Sequence, residues 1–193
     1  MKKIFLGLLF LLVEIKLGRL GITPAWVGYL LILSGTGEVP ESETFQRMRK
    51  LTATAAVFAG VIWLIELLGG PVGARWVDLH PLVLIDAALL GGSVGARVMD
   101  LLLTTVGVVF ELLVMYRLTD GIEEIETACA RGMRSDKLGA GWQGIVWGYI
   151  AFVVLVAYPP LSMAGLLAAF GAKIYYAVKF YQTARIYGEA VPS

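Results

Sequence analysis

The stretch "LLLTTVGVVFELLVMY" (101–116) holds one charged residue, Glu111, in an otherwise apolar run. A surface helix of a soluble protein keeps a polar face, whereas a helix apolar all round is buried or spans a membrane. Extended to 98–117, the run reaches the roughly 20 residues needed to cross the hydrocarbon of a bilayer. The rest of the chain agrees with that reading. Of 193 residues, 58% are hydrophobic and only 16% charged, and the mean hydropathy is +0.77. Soluble domains carry about a quarter charged residues. The chain therefore reads as all-α, a single polytopic membrane helix bundle over 1–193.

Working outward, three further runs have spanning character. They are 51–68, stopped by Gly69-Gly70-Pro71, then 142–158, stopped by Pro159-Pro160, and then 161–186. Two regions are irregular. In 4–35, two apolar runs of about ten residues flank Glu14, Lys16, Arg19, Gly18, Gly21 and Pro24. Ten helical residues rise about 15 Å, half the hydrocarbon core. This region is either a re-entrant hairpin or one long broken helix, with Pro24 opening its second half and Thr23 as the cap. The other irregular region, 72–93, has a short apolar run. It begins with "VGARWVDL" (72–79), which returns as "VGARVMDL" (94–101) with six of eight positions identical. The total is five to six membrane segments, at least one broken or re-entrant.

Two polar stretches have helical character. In "ESETFQRMRKL" (41–51), Ser42 caps a helix whose apolar side is Phe45, Met48 and Leu51. In 120–134, Asp120 is the expected cap of an amphipathic cytoplasmic helix bearing Ile122, Ile125, Cys129 and Met133 on one face. If 4–35 and 72–93 both dip in and return, 12 of 16 basic residues fall on one side. Loops rich in Lys and Arg stay in the cytoplasm. The expected location is the cell membrane, multi-pass, with both termini cytoplasmic. The opening "MKKIFLGLLFLLVEIKLG" lacks a small-residue cleavage site and reads as a retained membrane segment.

The stretch "ITPAWVGYLLIL" (22–33) resembles a motif of an uncharacterised family of small multi-pass membrane proteins of Gram-positive bacteria. In that family a polar break is followed by Leu-Pro-Asp-Phe-Ile-Gly-Tyr and an aliphatic run. Pro24, Gly28 and Tyr29 match and Trp26 stands at the aromatic position, while Thr23 and Ala25 depart from the pattern. The resemblance covers the first 35 residues. It implies a bacterial inner-membrane protein with a broken first segment, and brings no activity with it.

Composition excludes several classes. A net charge of +1 gives no pull toward nucleic acid. With Cys129 the only cysteine and His80 the only histidine, there is no cysteine zinc site and no cofactor motif. No nucleophile is paired with a base, so an enzyme is not expected. Ionisable residues at membrane depth are costly and mark sites. Glu111 is the leading candidate, as a ligand for a small solute or ion, or as an interhelical ion pair that holds the bundle together. Asp86 and Glu14 follow, with Arg97 and Asp100, which stand three apart and can neutralise each other as helix-entry anchors. The expected partners are the lipid bilayer and a small solute or ion. The small-residue stripe Ala164, Ala168, Ala172 either packs helices within the monomer, the commoner outcome, or takes a second copy or a protein partner. The alternative function is a non-catalytic accessory or scaffold subunit of a membrane complex.

Overall fold

The computed structural model describes residues 1–12, 16–17, 20–21, 24–37, 39, 42–67, 94–129, 134–155 and 158–190. Among them the chain forms six helices: α1 (Lys2–Leu12), α2 (Ala25–Thr36), α3 (Glu43–Leu67), α4 (Val94–Cys129), α5 (Ser135–Val154) and α6 (Pro159–Ala190). The only other regular element among the described residues is a two-rung antiparallel ladder, Lys16–Leu17 against Leu20–Gly21.

Among the described residues three helices are long and apolar enough to cross a membrane: Glu43–Ile65, Leu102–Ala128 and Pro160–Tyr187. The fourth expected span, 142–158, falls largely on α5, which is outside that set; its first turns carry Asp136, Lys137 and Gln143. Five to six spans are therefore not reached among the described residues. The three spanning helices keep large apolar side chains uncovered, among them Val57 at 68% and Leu167 at 66% exposure. In water so much contiguous apolar surface would drive aggregation, whereas lipid covers it at no cost. The protein is membrane-associated on this ground.

The helices alternate in direction. Gly7 packs on Gly28 and Ile32, and Gly35 on Ile4, so α1 and α2 are antiparallel neighbours rather than one long broken helix. Trp26 near the start of α2 meets Gly60 and Trp63 near the end of α3. Phe45 lies against Gly121 and Phe58 against Phe110, which makes α3 and α4 antiparallel. Between α5 and α6, Gly141 faces Tyr176, Gly148 faces Ala169 and Gly165 faces Phe152. These contacts are close because two apolar surfaces gain nothing from leaving lipid for each other. Association then rests on tight van der Waals approach, which glycine permits.

Local signals explain most helix ends. Ser42 caps α3 as its sequence predicts: its hydroxyl accepts from the Phe45 N–H at 3.2 Å, and Phe45 and Met48 are buried. Pro24 sits just before α2 rather than inside its first turn, with ψ at 131°; Thr23 lies outside the described residues. Pro159 opens α6, where its missing N–H is harmless. The run 120–129 is not a separate helix, because α4 continues through it. Gly121 makes room for the Phe45 ring: a Cβ there would lie 2.9 Å from a ring carbon. Asp120 is not a cap but lies 3.6 Å from Arg117 one turn back. Ile122 and Ile125, predicted to share a face, are both buried.

One end of the bundle gathers the starts of α1, α3 and α5 and the ends of α2, α4 and α6. Among the described side chains, Lys2, Lys3, Arg47, Arg49, Lys50, Arg117, Arg134, Lys137 and Arg185 are exposed towards that end. The largest fully buried side chains cluster there too, including Phe45, Met48, Leu118, Ile122, Tyr176 and Phe180. Two carboxylates of α4 tie the end together. Glu124 accepts from the Ser42 hydroxyl at 2.6 Å and from the N–H groups of Glu43 and Thr44 at 3.1 and 3.2 Å. Glu126 accepts from the N–H groups of Arg134 and Ser135 at 3.2 and 2.9 Å. Each neutralises the positive pole of a neighbouring helix and satisfies donors that no helix satisfies for itself.

Candidate functional site

Helix α4 presents Thr104, Gly107, Val108 and Glu111 along one stripe, the i, i+3, i+4, i+7 spacing of a single helix face. That stripe lines a cavity of about 210 Å³. Helix α3 adds Ala55, Phe58, Ala59, Ile62 and Trp63. The meeting of α1 and α2 adds Leu11, Pro24, Ala25 and Tyr29. Tyr149 of α5 and Lys173 of α6 complete the wall.

Among the described residues the charges on the cavity wall meet in one contact. Lys173 Nζ lies 2.6 Å from Glu111 Oε1 and 2.9 Å from Oε2, and each side chain is 13% exposed. Only the contact with Oε2 has hydrogen-bond geometry, so Oε1 is ion-paired but receives no directed donor. The ammonium also stands 5.3 Å from the centre of the Tyr149 ring, within cation–π range. Phe58 and Phe110 lean together nearby, 5.4 Å between centroids. One turn further along α4, the Tyr176 hydroxyl donates to Met115 O at 2.9 Å and shares a 3.1 Å hydrogen bond with Thr119. Trp142 Nε1 donates to Leu112 O at 3.0 Å. Helices α5 and α6 are thereby pinned to α4 just below the ion pair. The cavity wall is thus a neutral Glu–Lys pair set among aromatic and small apolar groups. Such a surface suits a small polar guest held by a few directed contacts.

Of the residues singled out by sequence, Glu111 lines this cavity. Glu14 and Asp86 lie outside the described residues, as do His80 and the first octet, 72–79. Arg97 and Asp100 are on the first turns of α4, and their side chains lie outside the described set. Ala164 and Ala168 are exposed, while Ala172 packs on Gly144. Among the described residues no three His, Cys, Asp or Glu side chains gather as a metal site would require.

Lys173 is not among the residues singled out by sequence. The missed signal is charge balance: Lys173 is the first charge after the apolar stretch 160–172, as Glu111 is the lone charge of its own run. One acid and one base at comparable depth are each other's cheapest partner. Tyr149 and Tyr29 carry no sequence signal that separates them from interfacial tyrosines. No family model matches the chain, and no curated protein and no solved structure was found similar to it.

Proposed function

We propose that this is a small multi-pass protein of the cell membrane that binds or passes a small polar solute or ion through the cavity walled by Glu111 and Lys173. The carrying observation is that cavity, with the charge pair on its wall. At about 210 Å³ it falls below the roughly 300–1,000 Å³ typical of sites for drug-sized ligands, which favours a guest of few heavy atoms. In this reading both termini are cytoplasmic, supported by the exposed basic residues at the end where the chain begins and α6 ends. The α1–α2 pair is read as entering and leaving on that same side, in keeping with the bacterial family that 22–33 resembles. No covalent bond is made or broken at the site.

The test is the double variant Glu111→Gln/Lys173→Met in proteoliposomes. Replacing both partners of a low-dielectric ion pair together is often neutral for stability, whereas removing one leaves an uncompensated charge and costs up to about 3–5 kcal/mol when fully buried. The double variant is therefore expected to fold and to lose solute transfer by at least about tenfold. Wild-type rates in a folded double variant, or a wild-type protein that moves none of a panel of ions and small solutes, sink the reading.

A further inference from the structure

The cavity's charge arrangement narrows the guest, and the inference rests on the functional reading above. We infer that the site takes a small zwitterion, a molecule of amino-acid size bearing one ammonium and one carboxylate. The reason is a count of charges. Among the described residues the resting site holds one cation, Lys173, and one anion, Glu111, paired with each other at 2.6–2.9 Å. A lone cation that draws Glu111 to itself leaves Lys173 unpaired, and a lone anion that draws Lys173 away leaves Glu111 unpaired. Either outcome strands a charge where little water reaches, since both side chains are only 13% exposed. A zwitterion brings both signs at once. Its carboxylate takes Lys173 and its ammonium takes Glu111, so one ion pair becomes two and no net charge enters the membrane.

The surroundings fit that exchange. Glu111 Oε1 meets Lys173 Nζ at 2.6 Å without hydrogen-bond geometry, so a guest ammonium that displaces Lys173 gives it a directed donor. The Tyr149 ring, 5.3 Å from Lys173 Nζ, keeps a hold on the ammonium while its carboxylate partner changes. Phe58, Ile62 and Trp63 give the remaining wall apolar and aromatic surface, suited to an uncharged side chain. A neutral guest without charges has nothing to exchange with the pair and gains only this apolar contact.

The experiment uses the full chain in lipid nanodiscs and proteoliposomes with matched probes: alanine, valine and leucine as zwitterions; ethylammonium as the cation lacking the carboxylate; propionate as the anion lacking the ammonium; and propionamide as the neutral analogue. Equilibrium binding is measured for each, and uptake for each alongside sodium and potassium. At least one zwitterion is expected to bind at least about tenfold more tightly than each of the other three analogues. The Glu111→Gln/Lys173→Met variant, checked for folding by circular dichroism, is expected to bind zwitterions no better than propionamide. A wild-type protein that binds ethylammonium or propionate as tightly as every zwitterion, or binds no zwitterion, overturns the inference. If sodium, potassium or a singly charged probe is still taken up in a Glu111-dependent way, only the zwitterion assignment falls. If nothing is taken up, the functional reading falls with it.

Discussion

At the scale of single residues, the acids on α4 divide by what they touch. Glu111 meets a side chain of α6, whereas Glu124 and Glu126 meet backbone donors of α3 and α5. Glu124→Ala removes an acceptor that three donors share, and is expected to lower stability by about 0.5–2 kcal/mol, the range for losing a helix cap. Glu123→Ala, at an exposed neighbour, is expected to stay within about 0.5 kcal/mol of wild type. Thermal unfolding of both variants in nanodiscs checks the contrast; equal effects would mean that the cap contributes nothing. Glu111 was legible because an isolated charge in an apolar run has one explanation, an interior partner. Glu124 was not, because its donors lie about 80 residues away in sequence, and only the fold brings them close.

At the scale of elements, glycine decides which helices touch. A Cβ at Gly148 would stand 2.6 Å from the backbone nitrogen of Ala169, which cannot swing aside. Gly148→Ala is expected to push α5 and α6 apart, at about the 1–3 kcal/mol typical of overpacking. A Cβ at Gly139 meets nothing within 4 Å, and Gly139→Ala is expected to be neutral or to stabilise by up to about 1 kcal/mol through helix propensity. Unfolding by denaturing detergent, monitored by circular dichroism, separates the two; similar behaviour would remove glycine packing as the basis of the α5–α6 pair. The four-residue spacing of Gly144 and Gly148 is that of a small-residue close-packing motif. Spacing does not say that Gly121 makes room for a ring, because that role depends on Phe45 from another helix. The continuity of α4 through 120–129 was hidden for the same reason.

At the scale of the whole molecule, the alternation of six described helices puts residues 49 and 137 at one end and 158 at the other. In a background lacking Cys129, cysteines at Arg49 and Lys137 are expected to label together from the cytoplasmic face, and one at Tyr158 from the outer face. Labelling of 49 together with 158 would refute the arrangement. The all-helical, membrane-embedded character was readable from composition and run length, because lipid leaves a strong trace in both. The number of crossings was less readable: short apolar runs such as 4–13 and 25–34 satisfy a helix pattern without fixing a direction. Direction emerges from pairings such as Gly7 with Gly28 and Gly35 with Ile4.

The ion pair between α4 and α6 also sets a timetable for biogenesis. Glu111 and Lys173 are 62 residues apart, so at about 5–20 residues per second the ribosome delivers the lysine roughly 3–12 s after the glutamate. Throughout that interval α4 enters lipid with a carboxylate whose partner has not yet been made. The membrane-insertion machinery must shelter α4, or the helix must linger near the aqueous face, until α6 arrives. Lys173→Met should therefore lower the yield of inserted protein, and the double variant with Glu111→Gln should restore it, a recovery measurable by pulse labelling and protease protection.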